Sequence, residues 1–131
     1  VYSVAAGALA EIGFSPVPNG GITQATAVSP DGNFFYASDD AGNAINVYTR
    51  DSGTGAITAA GVGPFAVNGV QTLYFEPGGK FLFAISNVAT NNVAVLSYTA
   101  ADGSLTAATG SPYTAGDSPH QAAFVSETIT Q

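Results

Sequence analysis

Hydrophobic and polar positions alternate along most of the chain in short runs. Each run ends at a cluster of glycine, proline, asparagine or aspartate. This is the period of strands, whose successive side chains face opposite sides. Amphipathic windows of helical period do not occur. Val, Ile, Phe, Tyr and Thr fill the runs, as strands favour. Strands are predicted near 22–28, 33–38, 44–49, 56–60, 70–75, 80–86, 92–98, 104–108 and 120–126, with two partial ones before residue 14. The turns between them follow from residue type. Ser29-Pro30-Asp31-Gly32 places Pro at i+1 and Gly at i+3 of a type I turn. Glu76-Pro77-Gly78-Gly79 supplies a turn at the corresponding place, and Asp102-Gly103 and the Gly53/Gly55 pair read as hairpin connections.

The same side chains return at a fixed interval. Ser29 to Ala37 (SPDGNFFYA) recurs as Glu76 to Ala84 (EPGGKFLFA), 47 residues on. Asn43 to Tyr48 (NAINVY) recurs as Asn91 to Leu96 (NNVAVL), 48 residues on. Gly55-Ala56-Ile57-Thr58 returns as Gly103-Ser104-Leu105-Thr106, and Gly63-Pro64-Phe65 as Ser111-Pro112-Tyr113. The opening residues fit the second half of this unit: Val1-Tyr2 aligns with Val47-Tyr48, and Gly7-Ala8-Leu9 with Gly55-Ala56-Ile57. The chain therefore divides into a half unit plus an inner strand (1–28), two repeats (29–75 and 76–125) and a tail (126–131). Four short strands in each unit of about 47 residues match the blade of a β-propeller. The expected fold is all-β: four-stranded antiparallel blades in a partial propeller. A β-sandwich uses similar strands, but it does not need the same side chains to return at each interval.

The ordered motifs, S-P-D-G-x-F-x-Y-A, then N-x-I-x-V-Y, T-G-x-I-T and G-P-F, resemble the lactonase-type seven-bladed propellers. That family includes 6-phosphogluconolactonase-like enzymes and stands close to the YVTN repeats of surface-layer proteins. The resemblance covers about residues 1–126 and implies blade architecture. It also implies either a binding or scaffold module or, as the alternative, a lactone hydrolase acting on a sugar or muconic lactone. The chain holds two whole units and two partial ones, where the family has seven blades. A chain of fewer than four blades cannot close a ring, so either self-association or the remainder of a longer propeller is expected.

Charge narrows the choice of partners. The chain carries two basic residues, Arg50 and Lys80, against nine acids, for a net charge of −7. No basic patch exists to neutralise phosphates, so neither nucleic acid nor an anionic membrane surface is an expected partner. No apolar run is long enough for membrane insertion. A small polar ligand remains compatible. Without cysteine there is no disulfide and no thiolate metal site. Low charge with many Ala, Thr, Gly and Asn points to a secreted, cell-surface or periplasmic protein, with the cytoplasm also compatible. The first residue is valine, so a processed chain or a fragment is expected.

His120, the sole histidine, opens the last predicted inner strand after Pro119. The resemblance implies a Pro-His pair facing the central channel. A histidine there can serve as general base toward a lactone carbonyl or its water. The alternative is a polar strand-end residue in solvent. In a full assembly Glu76 or Asp117 could supply an acid. Gln24, Gln71 and Gln121 recur before successive inner strands and could ring a channel to bind a polar ligand, or could hydrogen-bond a neighbouring blade. Asp39, Asp40 and Asn43 gather oxygens in one loop as calcium requires. The loop lacks an EF-hand pattern, and its counterpart 87–91 lacks acids, so Asx-turn chemistry accounts for it and no cofactor is expected. No G-x-S-x-G elbow or phosphate-binding glycine loop occurs.

Overall fold

The computed structural model describes residues 2–11, 13 and 16–124. Every regular element among them is a strand. The predicted early pair is present as β1 (Tyr2–Ala5) and β2 (Ala8–Glu11), an antiparallel hairpin. The first blade follows, with β3 (Thr26–Val28), β4 (Phe34–Asp39), β5 (Ala44–Arg50) and β6 (Ile57–Ala59) in that spatial order. A short β7 (Phe65–Ala66) pairs with the other half of the β5 edge. The second blade runs β8 (Val70–Phe75), β9 (Phe81–Ser86), β10 (Val93–Tyr98) and β11 (Leu105–Ala107). The all-β fold and its propeller blades are as the repeats imply. The sequence units run one strand out of step with the sheets: 29–75 supplies β4 to β7 of one blade and β8 of the next.

The turns form by the mechanisms their residues predict. Gly32 N donates to Ser29 O at 2.8 Å, and Gly79 N to Glu76 O at 2.9 Å. Both glycines have φ above 70°, which costs residues with a Cβ about 1–2 kcal/mol. Asn43 and Asn91, 48 residues apart, both adopt left-handed φ near 50°, the one strained conformation asparagine tolerates well.

Three predicted strands need correction. The stretch 22–28 is a strand only over Thr26–Val28. Upstream, the Ser38 hydroxyl accepts both Gln24 N and Ala25 N at 2.9 Å, while Ser38 N still donates to Ala25 O and Asp40 N to Ile22 O, so the pairing there is irregular. At the equivalent place β8 bulges between Val70 and Thr72. The outer strand does not end at residue 60. It breaks at Gly61 to Pro64 and resumes as β7, with Ile45 opposite Phe65. The second blade repeats this as a bridge between Val93 and Tyr113. Within the predicted strand 120–126, residues 120–124 carry no ladder, and 125–126 lie outside the described residues. A strand needs a partner, and no second strand flanks this stretch among the described residues.

The main core lies between the two blades. Tyr36, Ile45 and Leu82 are fully buried in it, with Phe34, Val47, Leu73, Leu96 and Leu105 around them. Tyr36 meets Phe75 at 5.6 Å and Tyr98 at 6.5 Å, and Phe75 meets Tyr98 at 5.3 Å, all edge-to-face. Two hydroxyls latch the blades together. Tyr36 OH donates to Gly103 O at 2.7 Å, and Tyr98 OH to Asp31 Oδ2 at 3.0 Å. A second, smaller cluster on the far side of the first blade gathers Ala37, Tyr48 and Ile57 with Val17 and Phe35.

Candidate functional site

Strand direction sorts the loops to two ends of the blades. One end holds the proline-glycine turns. The other holds the turns 39–43 and 87–92 together with the connectors that lead into each inner strand. β3 and β8 lie side by side as successive inner strands. The stretch after residue 119 continues the series. Thr72 Oγ1 donates to His120 O at 2.6 Å. Phe124 packs edge-to-face on Phe83 at 4.8 Å and on Tyr74 at 6.2 Å, as Phe75 packs on Tyr36.

The structure thus brings Gln24, Gln71, Gln121 and His120 to one end of consecutive inner segments. Gln24, Gln121 and His120 are exposed and Gln71 is half-buried. None of these four side chains makes a hydrogen bond within the described residues. Glu76 is not brought near His120. It follows β8 at the opposite end, and its carboxylate accepts Gly78 N and Lys80 N, the latter at 2.6 Å. Chiefly the Lys80 amide, with burial opposing and the Gly78 and Phe81 amides adding to it, holds that carboxyl below the usual glutamate range. Asp117 does lie at the His120 end. Its neighbours are tied there by Ser118 Oγ donating to Asn87 O at 3.2 Å and Asn92 Nδ2 donating to Gly116 O at 2.6 Å.

Asp39, Asp40 and Asn43 form a closed turn at this same end. Asp39 Oδ1 accepts Gly42 N at 3.0 Å, and Asn43 N donates to Asp40 O at 3.4 Å. Gly20, Gly21 and Gly42 surround the Asp39 carboxylate so closely that a Cβ on any of them would meet its oxygens. Among the described residues no three His, Cys, Asp or Glu side chains converge on a point where a metal could sit. The Asx turn accounts for the loop.

The residues that fix this end were not legible as candidates. Asn19 is the hub. Its Nδ2 donates to Ser38 O at 2.7 Å and Thr23 Oγ1 at 2.6 Å. Its Oδ1 accepts Asn46 Nδ2 and Tyr48 OH, both at 3.0 Å. Burial, and then the negative charge of Asp39, hold the Tyr48 hydroxyl above the ordinary tyrosine range, so it remains a donor. In the second blade the fully buried Asn92 does similar work, accepting Ala115 N at 2.9 Å. Nothing in the repeat pattern marks these residues, because their counterparts are unlike: Asn19, Asn46 and Tyr48 correspond to Val67, Ala94 and Leu96. Ser38 and Ser86, both buried, were detectable, since the same residue type returns 48 positions on.

Those substitutions give two equivalent grooves different walls. A cleft of about 480 Å³ is lined by Pro18, Asn19, Asp39, Asn46, Tyr48 and Pro64. Its counterpart, about 380 Å³, is lined by Ala66, Val67, Ala94, Leu96 and Pro112. The two occupy the same place on successive blades, and Asn19, Asn46 and Tyr48 of the first stand where the second has Val67, Ala94 and Leu96, although Asn68, Thr90, Asn91 and Ser111 also line the second.

Comparisons with known proteins agree with this architecture. Residues 2–123 match the family model described as lactonase, 7-bladed beta-propeller. No curated protein matches the chain. Among solved structures, a proposed 6-phosphogluconolactonase from Bacteroides uniformis superposes with a TM-score of 0.71 at 23% identity, over 92% of this chain and 35% of its own. Another from Bacteroides fragilis gives 0.64 at 23% identity, over 81% and 30%. A protein from Lactobacillus plantarum gives 0.68 at 18% identity, over 86% and 33%. The chain thus spans about a third of each of these structures, and likeness at this identity speaks for fold alone. Two consecutive blades, a preceding hairpin in the same register and a family match across nearly all of the chain lead to one conclusion: this chain belongs to the seven-bladed β-propeller lactonase family.

Proposed function

We propose that the chain is a binding module of a lactonase-type propeller and takes a small polar ligand at the end of the blades that carries Gln24, Gln71, His120 and Gln121. One observation supports this reading above others. The glutamines recur on consecutive inner segments, with His120 beside the last, yet none of these side chains hydrogen-bonds another group among the described residues. A repeated structural amide would be hydrogen-bonded to a neighbouring blade, as Asn19 and Asn92 are to their connectors. Further blades, from a longer chain or from other copies, complete the ring.

A second reading is lactone hydrolysis, favoured by the family to which the chain belongs. His120 would then be the general base, with Asp117 the nearest acid in sequence. Among the described residues no second group hydrogen-bonds the imidazole, so binding is placed first. Hydrolysis of glucono-1,5-lactone and muconolactone above the uncatalysed rate, lost in His120→Ala, would replace the binding reading with the enzymatic one. The binding reading expects no such turnover. It expects lactone-induced shifts in the backbone amides of Gln71 and Gln121, and their absence would overturn it.

A further inference from the structure

We infer that this blade end selects an uncharged, hydroxyl-bearing ligand over a phosphorylated one. The inference rests on the binding reading above and adds the ligand's charge. It follows from where the tertiary structure puts the only two basic side chains.

Arg50 closes β5 at the end where Phe34 opens β4. Its amide donates to Asn33 O at 2.7 Å, and its Nη1 donates to Gly32 O at 3.1 Å. Lys80 directly precedes β9, beside the turn that Glu76 caps. Both therefore stand at the proline-glycine end. His120 stands beside Thr72, near the start of β8. A six-residue strand at about 3.3 Å per residue separates the two ends by roughly 20 Å. Charges that far apart across solvent are screened, since the Debye length is about 8 Å at physiological salt.

The proposed ligand end therefore gains nothing from either cation. Its own charges are acidic. Asp39 and Asp40 close the turn after β4, and Asp117 precedes His120. The glutamine amides offer both donors and acceptors, which suits hydroxyl and ring oxygens. A phosphate dianion would instead enter a field of its own sign, with no guanidinium or ammonium of these blades to pair with it. The solved structures of like fold include proposed 6-phosphogluconolactonases, so the inference sets these blades apart from that substrate.

The test titrates the 131-residue chain with glucono-1,5-lactone and with 6-phosphoglucono-1,5-lactone. Backbone amide shifts are followed by NMR near neutral pH, where the phosphate is dianionic, with freshly dissolved lactone and matched ionic strength. The neutral lactone should bind at least about tenfold more tightly, the scale of a few like-charge repulsions in water. Asp117→Lys, at an exposed position, should narrow the ratio several-fold. Equal or tighter binding of the phosphorylated lactone overturns this inference and leaves the binding reading standing, as does a ratio unmoved by Asp117→Lys. Failure of both lactones to bind overturns the two together.

Discussion

Two hairpins built from the same repeat positions meet opposite fates. In β1–β2, Val4 pairs with Leu9. In β10–β11, Tyr98 pairs with Leu105. The register is identical, and Leu9 and Leu105 are repeat equivalents. Yet Leu9 is 71% exposed and Leu105 only 5%. The difference is the neighbour. Leu105 belongs to the buried cluster between the blades, to which Phe34 and Tyr36 of the first blade also belong. Leu9 faces no blade among the described residues. In repeat architectures a strand acquires its core from the unit beside it, so register alone says nothing about burial.

The comparison can be broken most sharply at the leucines. Leu105→Ala should destabilise the chain by about 2–5 kcal/mol in urea unfolding, and Leu9→Ala by no more than about 0.5 kcal/mol. An equal cost at both positions would mean that a further blade or a second copy covers Leu9 in solution. Glycine gives a smaller and more selective contrast. Gly7 and Gly103 share φ of 80° and 78°. A Cβ on Gly7 meets open space, whereas one on Gly103 falls 2.5 Å from Phe34 Cδ1. Gly7→Ala should cost only the backbone strain of about 1–2 kcal/mol. Gly103→Ala should add overpacking of about 1–3 kcal/mol, read as a lower midpoint at unchanged slope.

The smallest effect expected is that of pH on the inter-blade latch. Burial acts to raise the Asp31 carboxyl, but hydrogen bonds from Ser29 Oγ, Asn33 N and Tyr98 OH outweigh it and hold the group below the ordinary aspartate range. A depressed carboxyl contributes stability above its unfolded value, about 3.9, and loses it as pH falls toward the folded value. Melting in mild acid should therefore fall less steeply in Asp31→Asn than in the parent. At the alkaline extreme, burial foremost raises the Tyr36 hydroxyl, with the charges of Tyr98, Asp31 and Asp102 adding to it. Its contribution is complete below about pH 10 and declines above that, as the unfolded tyrosine ionises while the buried one does not.

The strands, turns and blade count were legible because they depend on local chemistry. Ser-Pro-Asp-Gly makes its turn wherever it lies, and alternation every second residue makes a strand with two faces. The repeat interval then ordered the blades. The short β7 was missed because two residues are too few to show an alternation, and Phe65 and Ala66 are a strand only by pairing with β5. The strand after His120 was overread because alternation predicts a capacity to pair and not the presence of a partner.

For the candidate site, the glutamines were legible as repeat-related residues and His120 as the sole histidine. Their freedom from hydrogen bonds was not, since that depends on what the neighbouring blade offers. Asn19 and Asn92 gave no signal, being polar residues in loops like many others. Lys80 follows its proline-glycine turn in the chain, but Arg50 reaches the same end only when β5 folds back along β4. By itself the sequence determined the family, the strands, the turns and the excess of acids. The tertiary structure decided which faces are buried, which amides are spent and where each charge stands. Burial and Coulomb interaction depend on distance in space, which chain order does not set.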